Sequence, residues 1–431
     1  MKKLFISCIK NLFKYTIAIF FIPILFLVAL YINVFNNNHR KRIVWGSTPL
    51  INNYYWSEAM KQDGYKSETY VSNIYSKINK SSDFDKILEY QYSFLPSHIK
   101  PYFAFLVSLF KYDIFFTSFD GFFLQETPID FLQVFYLKLA RKKIIVIPYG
   151  ADAYVTRNIN SSSLAHALIY SYPLTSRYQT SILRKVNYWT KYADAIIPGF
   201  MFADGIGRWD ILTPSPLSLD LKLWKKSNKK QVSNGKNREI VIAHTPNHRG
   251  FKGTEFIIKA IEQLKEKGYK IKFLLIEKKQ NSEVQKILSK EVDILIEQIV
   301  FTGFGLSGVE GLATGITTIS NLENNNYVLP LRRWTYFAEC PIVSASPETL
   351  FETLKKLIEN PKLREKLGNC GREYAKKYHS VDFARYLFSN IIGYVYGEKK
   401  SIMDLFHPLI GNYLKDSKKI SPPLKNNNLV D

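Results

Sequence analysis

Short, continuous apolar runs, each followed by a glycine- or proline-bearing turn and then by a stretch with helical spacing, recur along most of the chain. The first, at 42–45, ends in Gly46-Ser47-Thr48-Pro49. A helical pattern at 55–62 stops at Gly64, and a second strand pattern follows at 68–71. Further strands are expected at 113–117, 144–147 and 195–197, with a helix at 129–140. These runs do not alternate apolar with polar, so they belong to strands covered on both faces, as in a parallel α/β sheet.

Pro214 and Pro216 interrupt the rhythm in a stretch without helical period, which leads into the Lys- and Asn-rich run 225–237. The domain boundary is placed there, dividing a first half, 39–212, from a second, 213–397. In the second half a strand at 239–243 precedes a helix capped by Thr254, with Ile257, Ile261 and Leu264 on one face and Gly268 at its close. Strands at 271–276, 293–296 and 316–319 and helices at 348–358, 362–378 and 380–394 complete the pattern. The tail, 398–431, carries Pro422-Pro423 and three consecutive asparagines and is expected to be loose.

Ahead of both halves, nothing from Tyr15 to Ile32 carries a charge, while Lys2, Lys3, Lys10 and Lys14 precede this segment and Arg40, Lys41 and Arg42 follow it. Its length is near the minimum for a bilayer-spanning helix, and no small-residue cleavage site follows, so 1–38 reads as a retained membrane anchor. Cations on both flanks compete under the positive-inside rule. Pro23 lies midway and favours a kink, so the alternatives are a plain span and a segment that bends back to, or lies within, the cytosolic face.

Composition narrows the partners. Apolar residues make up 46% and aromatics 15% of 431 residues, enough for two cores. The net charge of +22 suits nucleic acid, an anionic membrane or a phosphorylated ligand. No zinc spacing, RNA-recognition strand or basic heptad helix is present, which removes nucleic acid, and no metal or separate cofactor is expected. Cys8, Cys340 and Cys370 are too few and too far apart for a disulfide framework, which fits a reducing compartment.

Two turns carry candidate chemistry. His244-Thr-Pro-Asn-His248-Arg249-Gly250-Phe-Lys252-Gly253-Thr254 lies between a strand and a helix. Its glycines allow close approach, the helix start favours anions, and Arg249 and Lys252 supply positive charge for a diphosphate; the alternative is an exposed basic loop. The second turn runs from Thr302-Gly303-Phe304-Gly305-Leu306-Ser307-Gly308 to Glu310 and Gly315. Gly303, Phe304, Gly305, Leu306 and Ser307 form the loop where a ligand would dock, and Glu310, in the first turn of the following helix, would accept from a ribose diol or merely complement the helix dipole. On the first half, Pro148-Tyr149-Gly150-Ala151-Asp152 and Phe119-Asp120-Gly121 follow buried strands. Asp152 is the candidate site residue on these loops, against a turn aspartate bonding its own backbone, with His166 and His248 as further candidates against structural histidines.

The segments HTPNHRGFKGTEFIIKAIEQL, VDILIEQ and GFGLSGVEGLATGITTI, in this order, resemble the C-terminal half of the family-4 (group 1) retaining glycosyltransferases. The resemblance implies the GT-B fold, two Rossmann-like domains facing each other across a cleft, with the last helices packing back across the junction. It implies that Arg249 and Lys252 hold the diphosphate of a nucleotide-sugar donor, that Glu310 is the second of a glutamate pair, that the loop from Gly303 to Ser307 faces the donor, and that Asp152 lies on the acceptor side. The first glutamate of that pair falls on Thr302, so the pair is incomplete. The implied activity is retaining transfer of a sugar to a membrane-associated, lipid-linked acceptor of bacterial surface polysaccharide, at the cytosolic side of the inner membrane. A nucleotide-sugar epimerase and a catalytically silent assembly partner are the alternatives.

Overall fold

Among the described residues every strand runs parallel to its neighbours, and the strands fall into two separate sheets. The computed structural model describes residues 2–35, 41–75, 78–199, 205–415 and 417–430. A long helix α1 (Lys2–Phe35) precedes β1 (Ile43–Trp45), α2 (Ile51–Gln62), β2 (Ser67–Val71), β3 (Lys86–Ile87), α3 (Lys100–Lys111), β4 (Ile114–Thr117), α4 (Gln133–Leu139) and β5 (Lys143–Val146). Helices α5 (Ser162–Ser171), α6 (Pro173–Arg177) and α7 (Gln179–Tyr192) lead to β6 (Ala195–Ile196). The order β3-β2-β1-β4-β5-β6 reverses direction at β1, which leaves a crevice at the carboxyl ends of β1 and β4. Trp45, stacked on Phe116 with ring centroids 3.8 Å apart, anchors the core beneath it.

The second half is built from β7 (Ile240–His244), α8 (Arg249–Lys252), α9 (Thr254–Glu266), β8 (Ile271–Leu275), α10 (Asn281–Lys290), β9 (Ile294–Thr302), α11 (Leu306–Thr314) and β10 (Thr317–Asn321). Helix α12 (Asn325–Trp334), β11 (Val343–Ser344), α13 (Leu350–Glu359), α14 (Pro361–Tyr378) and α15 (Val381–Val395) follow. The strand order β11-β10-β9-β7-β8 has its own reversal between β7 and β9. The α/β class and the two-sheet layout that the resemblance implies are therefore present. Thr254 does not cap α9 as its sequence position suggested. Gly253 takes the cap position in the left-handed region, and the Thr254 hydroxyl is instead turned to His244.

Helix α15 lies on the first half. Phe388 packs edge-on against both Trp45 and Trp56, and Arg385 and Ser389 hold Asp63 at the end of α2. Where the chain passes from α14 to α15, it meets the segment that joins the two halves. The Leu219 N–H donates to the His379 carbonyl at 2.8 Å, and His379 Nδ1 donates to the Leu217 carbonyl at 2.7 Å. The tail is docked rather than loose. Phe406 and Tyr413 pack on Phe383, and the Asn427 amide donates to the carbonyls of Cys340 and Ile342, both at 2.7 Å. These aromatics and the buried amide outweigh the turn-forming composition on which the looser expectation rested.

Helix α1 is continuous through Pro23, so the segment does not double back. Leu12–Phe35 has a mean hydropathy of 2.7 and is long and apolar enough to cross a membrane. The flanking Arg40 and the side chains of Lys2, Lys3 and Lys10 lie outside the described residues.

Candidate functional site

At the carboxyl edge of the second sheet, β7 ends in the buried His244. Its Nδ1 donates to the Ile296 carbonyl at 2.7 Å, and Nε2 accepts from the Thr254 hydroxyl at 2.9 Å. Both nitrogens are satisfied by a neutral ring, and burial holds the imidazole down at about 4. His244 thus ties β7 to β9 and α9, positioning the turn that follows. In that turn α5 comes close to Gly250, where a Cβ would sit 2.5 Å from Ser171 Oγ. The Phe251 N–H also donates to Ser171 Oγ, so the two halves meet here.

The two cations of the turn diverge. Arg249 points outward, with a two-pronged bond to Glu277 and a third contact to Glu255 at 3.0 Å. Lys252 points inward, and its Nζ lies 2.5 Å from Glu297 Oε1 and 2.8 Å from Gln298 Oε1. Glu297 is fully buried and also accepts from Gly305 N at 3.1 Å and Ser307 Oγ at 3.3 Å, while Ser320 Oγ lies 3.1 Å from its other oxygen. The carboxylate thereby occupies the anion position at the start of α11 and draws the turns after β7 and β9 together. A Cβ on Gly308 would lie 3.3 Å from Glu297 Oε2, so the carboxylate lies directly beneath the glycine-rich turn.

Glu310 is the fifth residue of α11 rather than part of its first turn, and it is buried. Asn281, at the start of α10, donates to its Oε1 at 2.9 Å. Burial pushes the Glu310 carboxyl up to about 8, Glu297 adds to the rise, and Asn281 and Lys252 oppose it. Phe304 turns inward, edge-on to His379 with centroids 6.0 Å apart. Gly303 is in the left-handed region at φ 110°, and its carbonyl accepts from Gln298 Nε2 at 2.8 Å. Thr302, where the resemblance places a carboxylate, ends β9.

On the first half, Asp152 is buried and holds its loop. One oxygen accepts from Phe119 N at 3.0 Å, the other from Tyr149 N and Gly150 N at 3.0 and 2.9 Å. Burial and the nearby Asp120 push its carboxyl up to about 7 against those three donors. Asp120 is the more exposed of the two, bonded to the Tyr149 hydroxyl at 2.7 Å and to Lys185 at 3.1 Å. His248 is set among the rings of Tyr172 and Phe251.

A cleft of about 880 Å³ opens between α5 and the carboxyl ends of β9 and β10. His166, Arg249, Glu255, Thr302, Asn321 and Glu323 are among the side chains on its walls. Lys252, Glu310, Asp152 and the residues from Gly303 to Ser307 are not on those walls, so the basic pair is divided between the cleft and the network behind it. Sequence reading missed Glu297, Gln298 and Asn281. Glu297 and Gln298 stand as two polar residues inside the apolar run ILIEQIVF, just past the strand expected at 293–296 and within the segment VDILIEQ that carries the resemblance.

No family model matches the sequence, and no curated protein does. Among solved structures, the chain is similar to a sucrose-phosphate synthase from Thermosynechococcus elongatus, at 12% identity over 83% of this chain and 100% of that one, with a TM-score of 0.48. It is similar to a glycosyltransferase from Rickettsia africae ESF-5, at 13% identity over 83% and 100%, with a TM-score of 0.48. A further similarity is to WaaG, a glycosyltransferase involved in lipopolysaccharide biosynthesis, at 14% identity over 81% and 99%, with a TM-score of 0.40. Likenesses this distant carry no weight for the chemistry, which has to come from the site's own residues.

Proposed function

We propose that the chain is a glycosyltransferase that takes a sugar from a nucleotide-sugar, held by the second half, and passes it to a membrane-associated, lipid-linked acceptor at the cytosolic face. The observation that carries this reading is the convergence of the turns after β7 and β9 on one buried carboxylate, at the point where the strand order of the second sheet reverses. Ligands of open α/β sheets bind at such reversals, and turns of this kind receive diphosphates. Arg249 stands at the cleft with a guanidinium able to exchange surface carboxylates for phosphate oxygens. Glu310 and Asn281 are an acceptor and donor pair suited to a ribose diol. Retention of anomeric configuration follows from the family resemblance.

The test is a screen of nucleoside diphosphates and nucleotide-sugars by thermal shift. A true donor at 100 times its dissociation constant stabilises the fold by about 2.7 kcal/mol. Glu310→Gln should weaken a nucleoside diphosphate and its sugar conjugate by similar factors, because the ribose is common to both. If no nucleotide stabilises the protein, the donor reading fails; if Glu310→Gln binds normally, the ribose placement fails.

A further inference from the structure

Helix α1 lies along the first half. Ala18, Phe21, Leu25, Ala29 and Ile32, at helical spacing, form its buried stripe. Contacts run from Phe13, edge-on to His98 at 4.9 Å, through Phe21 stacked on Tyr102 at 4.7 Å, to Tyr31 beside Phe110 at 6.3 Å. Midway, the Tyr136 hydroxyl donates to the Ile22 carbonyl at 3.2 Å. Phe13 to Tyr31 spans about 27 Å of helix axis, nearly the ~30 Å of a bilayer's hydrocarbon core. A helix fastened to a sheet domain over that length cannot cross a membrane unless α3 and α4 enter with it. They would carry Lys100, Lys111 and Lys138 into hydrocarbon, where cations are strongly disfavoured.

The opposite face of α1 is also apolar, with Ile19, Phe20, Leu27 and Val34 exposed. An in-plane helix standing alone needs a polar side to face water. Here α3 and α4 cover the side turned away from lipid, so no polar side is required. The apolar surface continues onto the body, where exposed Phe110 adjoins exposed Tyr31 and exposed Phe135 stacks on exposed Phe26. Lys100, whose ammonium meets, among the described residues, only the Glu89 carbonyl at 3.0 Å, shares a face of α3 with Phe103 and Phe110, and Lys138, bridged to Asp194 at 2.7 Å, shares a face of α4 with Phe135, so cationic side chains border the apolar strip.

We infer that α1 and the outward stripes of α3 and α4 form one surface that beds into an anionic bilayer, with α1 lying in the membrane plane and not crossing it. A second copy of this chain would cover the same strip only by bringing two bodies of +22 together, whereas anionic headgroups neutralise the rim. This placement also removes the conflict between the cationic flanks, since both ends of the helix then rest at one leaflet. It stands independently of the donor chemistry.

The test uses the full chain on vesicles of phosphatidylcholine and phosphatidylglycerol, with Cys8 and Cys370 replaced by serine. A fluorophore is placed on single cysteines at Ile19, Leu27 and Val34, and its depth is read by nitroxide-labelled lipids. Equal, shallow depth at all three is expected. A deep Leu27 between shallow ends, or a chain that forms dimers and ignores vesicles, overturns the proposal. Phe110→Glu and Phe135→Glu, both at exposed positions, should each reduce vesicle partition about tenfold with thermal melting unchanged. Partition unaltered in both variants would mean that the body does not face the lipid.

Discussion

Three positions separate Arg249 from Lys252, yet one side chain is wet and the other dry, and substitution should tell them apart. Lys252→Ala leaves the buried Glu297 carboxylate without its cation, a change that typically costs about 3–5 kcal/mol. Adding Glu297→Gln to it should recover much of that loss, because the stranded charge is gone. Arg249→Ala should leave the urea midpoint unmoved and reduce nucleotide binding alone. Equal midpoints for the Arg249 and Lys252 single variants would mean that the Lys252–Glu297 pair does not hold the site together. The residue types of the donor turns were legible in the sequence, since glycines, cations and an acid recur there in order. Their partners were not, because Glu297 reaches Lys252 from a strand 45 positions further on. Nothing local distinguishes a lysine aimed at a ligand from one aimed at a buried acid.

Helix α11 shows what the same limit means for an element. It follows a glycine-rich loop assigned to a ligand, yet its own Gly311 serves packing. A Cβ there would lie 2.4 Å from Thr318 Oγ1 and 2.7 Å from Leu295 Cδ2, so the helix is pressed against β9 and β10. Gly311→Ala should therefore destabilise by about 1–3 kcal/mol through overpacking, although alanine is the better helix former by ~1 kcal/mol. A denaturation midpoint at or above that of the parent would show that the sheet yields. The long strands and the helices α2, α4, α9, α13, α14 and α15 were readable, whereas α3 was not, although it buries Tyr102, Phe105 and Leu109. β3 and β11 have two residues each, too few to show a pattern, and α7 buries only Val186 and Trp189, too thin a stripe to stand out. β9 continues to Thr302, past the expected end at Ile296, because the buried network satisfies Glu297 and Gln298 within the strand, whereas a polar pair after an apolar run resembles a strand end.

For the molecule as a whole, buried titratable groups should bound stability on both sides of neutral pH. Burial holds His244 and His379 down at about 4, so between pH 6.5 and 4 the unfolded chain takes up protons that the folded one refuses. Stability should fall as pH drops through that window, by on the order of 3 kcal/mol for each ring. Glu310 acts oppositely: it keeps its proton up to about 8 when folded and releases it near 4.5 when unfolded, so it erodes stability as pH rises from 4.5 to 8. From pH 8 down to 6.5, above the range in which the histidines act, the urea midpoint should rise in the parent and rise less in Glu310→Gln; identical slopes over that window would rule out the raised carboxyl. Two sheets and two halves were legible from strand rhythm, while the return of α15 was foreseen only through the family resemblance. The knot at His379 was not legible, because it joins residues distant in sequence through one side chain and one carbonyl. The ring that makes this tie also stands edge-on to Phe304, so the segment joining the two halves and the turn after β9 share one packing partner, and a change of side chain at position 379 reaches both.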